Sequence, residues 1–332
     1  MFAGVSCVAP AGGSGRQDSA LIYGEVDLVD VGDHPDPFLR QLARESVGGI
    51  VDRRLLSGVV PRTISVGEAI EAEFGLPYCE GEPFRDEPLF VECSGALIDD
   101  DLFLTASHCI PTQTFCDQSA IVFDWLRTPE GSLESIGPED IYECTEIVQA
   151  SYLRDVVIVR LDRPVSPPHR PLLVRHGSAP IEDGDPLTVI GHPLGMPMRI
   201  DDAAEARGAY VEGTESFQLR ADVLPAHSGS PVLDEDGEVV GVLSRGPVPF
   251  VARSCVELAT EADAAGEEVA GYVYRVMHDL CKKGPGSPRL CADPNVWCED
   301  CGGGCSATGA TSGSAAMLIG LLLLLHRRRA SR

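Results

Sequence analysis

The chain reads as an all-β protein of two packed antiparallel barrels with short terminal helices, and three observations predict it. Its 332 residues include 35 glycines and 25 prolines but only 6% aromatics, the composition of many short strands joined by tight turns. Short apolar runs and period-two alternation mark strands at Phe90–Cys93, Ala120–Trp125, Tyr142–Ala150, Val156–Leu161, Leu187–Ile190, Ser216–Val223 and Val239–Leu243. No stretch between residues 85 and 250 sustains a helical period. The length suffices for one two-barrel unit of ~200 residues with extensions at both ends.

Taken in order, the elements begin with a poor fit. Met1 to Cys7 offers no basic n-region and no apolar run long enough for export. The export argued below therefore implies a signal beginning upstream of Met1, with Phe2 to Ser6 as its tail. Gly12 to Ser19 has the composition of a flexible linker. Pro37 to Ser46 reads as a helix with Phe38, Leu39 and Leu42 on one face. Such a helix can cover a cleft or pack on a barrel, and packing is the commoner fate. Asp236-Gly237, between Val232-Leu233 and Val239-Val240, is a hairpin turn signal.

Three segments carry chemistry. Leu104-Thr105-Ala106-Ser107-His108-Cys109 ends an apolar run on a histidine, Asp155 opens the strand Val156–Leu161, and Ala226-His227-Ser228-Gly229-Ser230-Pro231 presents a serine before a glycine. A serine hydroxyl attacks only once a base takes its proton, and a neutral imidazole is that base near neutral pH. A carboxylate then fixes the imidazole tautomer and stabilises the imidazolium. The order His, Asp, Ser is that of the chymotrypsin-type enzymes.

Thr105-Ala106-Ser107-His108-Cys109 and Ser228-Gly229-Ser230-Pro231 resemble the trypsin-like serine peptidases, in their bacterial, glutamyl-endopeptidase-like branch, over roughly residues 45–250. The resemblance implies two six-stranded Greek-key barrels with the active site between them. It makes His108 the general base, Asp155 its orienting partner and Ser228 the nucleophile, with Ser230 the rival. It also assigns the oxyanion hole to the backbone N–H groups of Ala226 and Ser228. The family normally has glycine where this chain has Ala226; if the hole needs positive φ there, a Cβ costs roughly 1–2 kcal/mol. His227 replaces the acidic residue that animal relatives pair with a freed N-terminus, so that activation route is not expected. Ile50-Val51 resembles such a new N-terminus and gains little weight for the same reason. His192, in Gly191-His192-Pro193, reads as a structural loop histidine, because the triad already has its base.

The resemblance places the primary pocket at Asp222 and Val223 and at Leu243, Ser244, Arg245 and Gly246. Asp222, six residues before Ser228, suits Arg or Lys side chains by charge-assisted pairing. Arg245 could neutralise it or attract an acidic side chain, and both readings stay open. Glutamyl endopeptidases usually have histidine where this chain has Leu243. Ser244-Arg245-Gly246 suits backbone pairing with an extended substrate.

Twelve cysteines in a hydrolase-like chain point to an oxidising compartment. The resemblance implies a Cys93–Cys109 bond, with Cys116–Cys144 a plausible second pair and Cys255–Cys281 a third. Cys298-Glu299-Asp300-Cys301, with Cys291 and Cys305, has half the spacing of a zinc site but no histidine beside it. Neither a cofactor nor a metal is expected. The net charge of −25, with Lys282 and Lys283 the only lysines, argues against nucleic acid as a partner.

The C-terminus combines Gly-rich Cys301–Cys305, the apolar run Ala315–Leu325 and Arg327-Arg328-Arg329. Eleven apolar residues are short for a span of ~20, and the basic end would stay cytoplasmic. Small residues, apolar tail and basic end follow the logic of a cleavable anchor signal. The pattern resembles the sorting tails of myxobacterial surface proteins, which makes Cys305 the processing or lipid-attachment residue; a plain short anchor is the alternative.

The resulting expectation is a monomer, exported and attached to the cell surface or released from it, acting on protein or peptide substrates, with the membrane as a partner through its tail. Residues 1–44 hold the incomplete signal, linker and helix, 45–254 the protease domain, 255–304 a Cys-rich extension and 305–332 the tail. The function expected is a serine endopeptidase working through an acyl-enzyme. The alternative is a weak or inactive homologue serving as a surface binding module.

Overall fold

A computed structural model describes residues 26–56, 63–177, 181–207, 216–246, 250–259, 268–282 and 287–292. The linker, the sorting tail and Cys298, Cys301 and Cys305 lie outside them. No helix among the described residues is long and apolar enough to cross a membrane.

Two closed six-stranded antiparallel barrels form the body. The first uses β1 (Val47–Asp52), β2 (Cys93–Asp99), β3 (Leu102–Thr105), β4 (Ser119–Val122), β5 (Ile141–Ser151) and β6 (Val156–Leu161). The second uses β7 (Pro186–Gly191), β8 (Arg199–Arg207), β9 (Ser216–Arg220), β10 (Pro231–Leu233), β11 (Val239–Arg245) and β12 (Glu268–Tyr272). The first closes in the order 1-2-3-6-5-4 and the second in the order 7-8-9-12-11-10, so one topology is used twice. Closure removes the sheet edges that an isolated meander would expose.

Alternation along the strands sends one face into each barrel. Leu97, Phe103, Ile121, Phe123, Tyr142, Val157 and Val159 fill the first, with edge-to-face contacts of Phe123 to Phe103 and Tyr142 at centroid distances of 6.2 and 5.7 Å. Leu187, Val189, Phe217, Leu219, Val232, Val240 and Tyr272 fill the second. A third cluster, including Leu104, Ile158, Ile190, Ile200, Val242 and Met277, seals the two together.

Helix α1 (Pro37–Ser46) has the bounds the periodicity predicts. Asp36 caps it by accepting from the Phe38 N–H at 2.7 Å, and its buried residues Leu39 and Ala43 join the inter-barrel cluster. Helix α2 (Val66–Phe74) falls in a long insertion between β1 and β2 and opens with a capping box of Ser65 and Glu68. Helices α3 (Gln113–Gln118) and α4 (Tyr274–Lys282) are the other α-helices among the described residues. The Asp236-Gly237 turn is present, with Gly237 at φ 76° and its N–H donating to the Asp234 carbonyl.

Several expectations change. Ile50 and Val51 lie inside β1, paired to β2 and β4 on its two sides and fully buried, so they are barrel core and not a terminus. Cys255 bonds Cys79, and Cys281 bonds Cys291, in place of a Cys255–Cys281 pair. The first bond ties the β1–β2 insertion to a small hairpin between β11 and β12; the second closes the short segment after α4. Cys291 is therefore spent in a disulfide and unavailable to a zinc cluster. The second barrel also needs β12, so it runs past residue 254 into the stretch read as an extension. At the other end Val29–Asp30 adds a short strand to β8. Local patterning could not reveal this, because β12 acquires its place only from partners far away in sequence.

Candidate active site

Barrel closure brings the three motifs together. His108 follows β3, Asp155 sits in the tight turn between β5 and β6, and Ser228 lies in the connection from β9 to β10. The Asp155 turn holds positive φ (55°), a conformation aspartate tolerates better than most residues. Its backbone carbonyl accepts from Ser107 N–H at 3.1 Å.

The Asp155 carboxylate is fully committed. Oδ1 accepts from Ser107 Oγ at 2.7 Å and from the His108 N–H at 2.9 Å. Oδ2 lies 2.6 Å from His108 Nδ1 and accepts from Ser244 Oγ at 2.7 Å. Burial works against the charge, but the bonds from His108, Ser244 and Ser107 outweigh it and hold the carboxyl below its usual range. A charged Asp155 fixes the proton on Nδ1 and leaves Nε2 as the basic nitrogen. The imidazole is half exposed. Cys93 and Cys109 form the expected disulfide beside it, as do Cys116 and Cys144 between α3 and β5. Their sulfurs, being bonded to each other, are not available as ligands to a metal at His108.

Ser228 is half-buried, and its Oγ donates to the Ser244 carbonyl at 3.3 Å. A turn about χ1 is then the motion that redirects the hydroxyl towards an imidazole acceptor. Three hydrogen bonds from two sides hold the loop: Ser94 N–H donates to the Ser228 carbonyl at 2.8 Å, Ser94 Oγ to the Ala226 carbonyl at 3.0 Å, and Gly229 N–H to Leu243 O at 2.7 Å. Gly229 has φ 89°, and a Cβ there would stand 2.1 Å from the Ser94 carbonyl oxygen; only glycine fits. Ala226 does hold positive φ, 63°. Among the described residues the N–H groups of Ala226 and Ser228 donate to no backbone carbonyl.

His227 and His192 are wholly buried behind this loop. His192 Nδ1 lies 3.1 Å from the Met196 carbonyl, while its Nε2 lacks a hydrogen-bond partner. Burial pushes His192 down to about 4, and burial together with the neighbouring His192 pushes His227 down to about 3. Both are neutral packing groups at physiological pH.

The pocket residues divide. Asp222 is 2% exposed, and its Oδ2 accepts from the Asp27 N–H at 2.8 Å, so the N-terminal segment lies against it. Its own N–H donates to Asp201 Oδ2 at 2.7 Å, and burial raises Asp201 to about 7. Val223 and Leu243 are buried, Arg245 is exposed and Gly246 half-buried. Ser244 belongs to the Asp155 network through its hydroxyl. The roles of Ser94, Ser107 and Ser244 escaped the sequence reading; only the position of Ser107 inside the histidine motif hinted at one.

Residues 93–242 match the family described as Trypsin-like peptidase domain. The match and the two-barrel fold support a trypsin-like serine peptidase, a hydrolase. No curated protein matches the chain. Among solved structures, the Rv3671c protease of M. tuberculosis in its inactive form is 19% identical, with 75% of this chain and 97% of that chain covered and a TM-score of 0.43. A mutant of human heparin binding protein (CAP37) is 21% identical, with 59% and 88% covered and a TM-score of 0.42.

Proposed function

We propose that the chain is an exported serine endopeptidase that cleaves peptide bonds through a His108–Asp155–Ser228 triad. The observation that carries the reading is the four-bonded Asp155 carboxylate, which holds Nδ1 of His108 at 2.6 Å and reaches across to Ser244 of the second barrel. In the reaction, Ser228 Oγ attacks the substrate carbonyl carbon while its proton passes to His108 Nε2. The oxyanion is held by the N–H groups of Ala226 and Ser228. His108 returns the proton to the leaving amine, giving the acyl-enzyme, and water repeats the sequence to release the acid. Ser244 to Gly246 pair with the extended substrate backbone.

The Ser228-Gly229-Ser230-Pro231 sequence supports the bacterial, glutamyl-endopeptidase-like branch. Four disulfides among the described residues support an oxidising, extracytoplasmic location. The C-terminal tail, with Cys305, is proposed as a surface-sorting anchor, and the working unit as a monomer. Treating the oxidised protein with a fluorophosphonate tests the chemistry. Labelling that disappears in Ser228→Ala is expected. Labelling that persists in the variant rejects Ser228 and points to the rival Ser230; no labelling of folded, oxidised protein rejects an activated Ser228 and leaves the binding-module alternative.

A further inference from the structure

We propose that Asp124, Asp140 and His169 form a binding site for one divalent transition cation of the zinc type, built from residues the triad does not use. Asp124 follows β4, Asp140 precedes β5, and His169 lies in the segment that leaves the first barrel after β6. Their donor atoms lie within 4.8 Å of one another.

The histidine is the telling member. Its side chain is 2% exposed, and neither ring nitrogen has a hydrogen-bond partner. Buried polar atoms left in that state are uncommon and costly. Nε2 points at both carboxylates, 3.7 Å from Asp124 Oδ2 and 3.9 Å from Asp140 Oδ1. These separations exceed the 2.7–3.2 Å range of an N–H···O bond, so the three groups face a shared gap instead of bonding each other. Donors held ~2.0–2.2 Å from one Zn²⁺ stand roughly 3.4 Å apart at tetrahedral angles, so both His169–carboxylate separations lie within about half an ångström of what a shared cation requires.

The surroundings prepare the donors. The His169 ring lies against Phe123, centroids 4.6 Å apart, which fixes its plane. Asp140 Oδ2 accepts from the Gly137 N–H at 2.7 Å and leaves Oδ1 for the gap. The nearby Arg44 is engaged by Glu134 at 2.7 Å. Burial raises the Asp124 carboxyl, with His169 and Arg44 opposing and Asp140 adding to the rise. The Asp124 and Asp140 side chains keep 24% and 15% exposure, so water can reach the site and complete the coordination. One imidazole and two carboxylates favour zinc or manganese over calcium or magnesium, which select all-oxygen sets. Bound there, the cation would tie both ends of the β4–β5 loop to the crossover between the barrels.

The test titrates the full-length, oxidised protein with ZnCl₂ and, separately, CaCl₂, following heat and thermal unfolding. One Zn²⁺ per chain with a raised Tm is expected, with no such rise in Ca²⁺. His169→Gln and Asp124→Asn should each weaken Zn²⁺ at least ~10-fold. Co²⁺ in the unaltered chain should show the visible bands of a low-coordinate nitrogen–oxygen site without a thiolate charge-transfer band, a readout that survives a variant that fails to fold. Binding unchanged in both variants, a thiolate band from Cys298, Cys301 or Cys305, equal stabilisation by Ca²⁺, or no Zn²⁺ bound (a gap that holds only water) would each overturn the proposal.

Discussion

The two barrels share one strand order but divide their labour between rigidity and polarity. The first packs hydrocarbon and aromatic rings inside and adds two disulfides, Cys93–Cys109 and Cys116–Cys144, beside the histidine loop. The second has no disulfide between its own strands among the described residues, and behind its serine loop it buries His192, His227, Asp201 and Asp222. The difference follows from what each side supplies to the site. A base and its carboxylate must be held at hydrogen-bond length, which covalent ties and dense packing achieve. The proposed nucleophile loop must place two N–H donors in a strained turn, and its anchoring bonds come from Ser94 of the first barrel and from the Leu243 carbonyl.

The largest break in this comparison comes from the first barrel. Asp155→Asn should lower kcat by about 10⁴ while the fold remains, because the amide favours the wrong imidazole tautomer; ester turnover together with circular dichroism checks it. Next, replacing Cys93 and Cys109 together by serine should destabilise the protein by about 3 kcal/mol, as expected for opening a loop with a sequence separation of 16 residues. Denaturant unfolding measures that loss, and a change under 1 kcal/mol would mean packing alone fixes the histidine loop.

Acid should act on the second barrel. His192 and His227 have folded values near 4 and 3, below the ~6.5 of an unfolded histidine, so the unfolded chain takes up protons first. Their stabilisation is complete above about pH 6.5 and is lost as pH falls towards the folded values. Asp201, raised to about 7, works the opposite way, since the folded state holds its proton from about pH 4 to 7. The two depressed histidines act against the one raised carboxyl, so together these three groups make unfolding take up protons and lower stability as pH falls from about 6 to 4. His227→Asn should flatten that slope in urea unfolding midpoints taken across pH; an unchanged slope would assign it elsewhere. The smallest effect belongs to Ala226→Gly, which should relieve about 1 kcal/mol of positive-φ strain and raise kcat by no more than about tenfold. Steady-state kinetics decides that point, and a lower kcat would show that the Cβ helps hold the turn.

Much of this was legible in the sequence because its causes are local. Val156–Leu161 is a strand of six apolar-rich residues in sequence and structure alike, and α1 announces itself through Asp36, Pro37 and a 3.6-residue period. The motif serine, histidine and aspartate lie at strand ends, where side chains escape the core. What escaped notice was long-range. In sequence Cys255 reads as the partner of Cys281; its actual partner Cys79 comes to it only through an insertion 176 residues away. Ser244 looked like a pocket residue until barrel closure turned its hydroxyl onto Asp155.

Sequence alone therefore determined the class of fold and singled out the three residues proposed as the reactive groups, since turn chemistry, strand period and motif spacing are properties of neighbouring residues. Tertiary structure alone decided the cystine partners beyond the histidine loop, the burial of Asp222 against Asp27, and the gathering of Asp124, Asp140 and His169 around one gap. Those depend on which distant strands close each barrel, and closure distances are set by the whole chain at once.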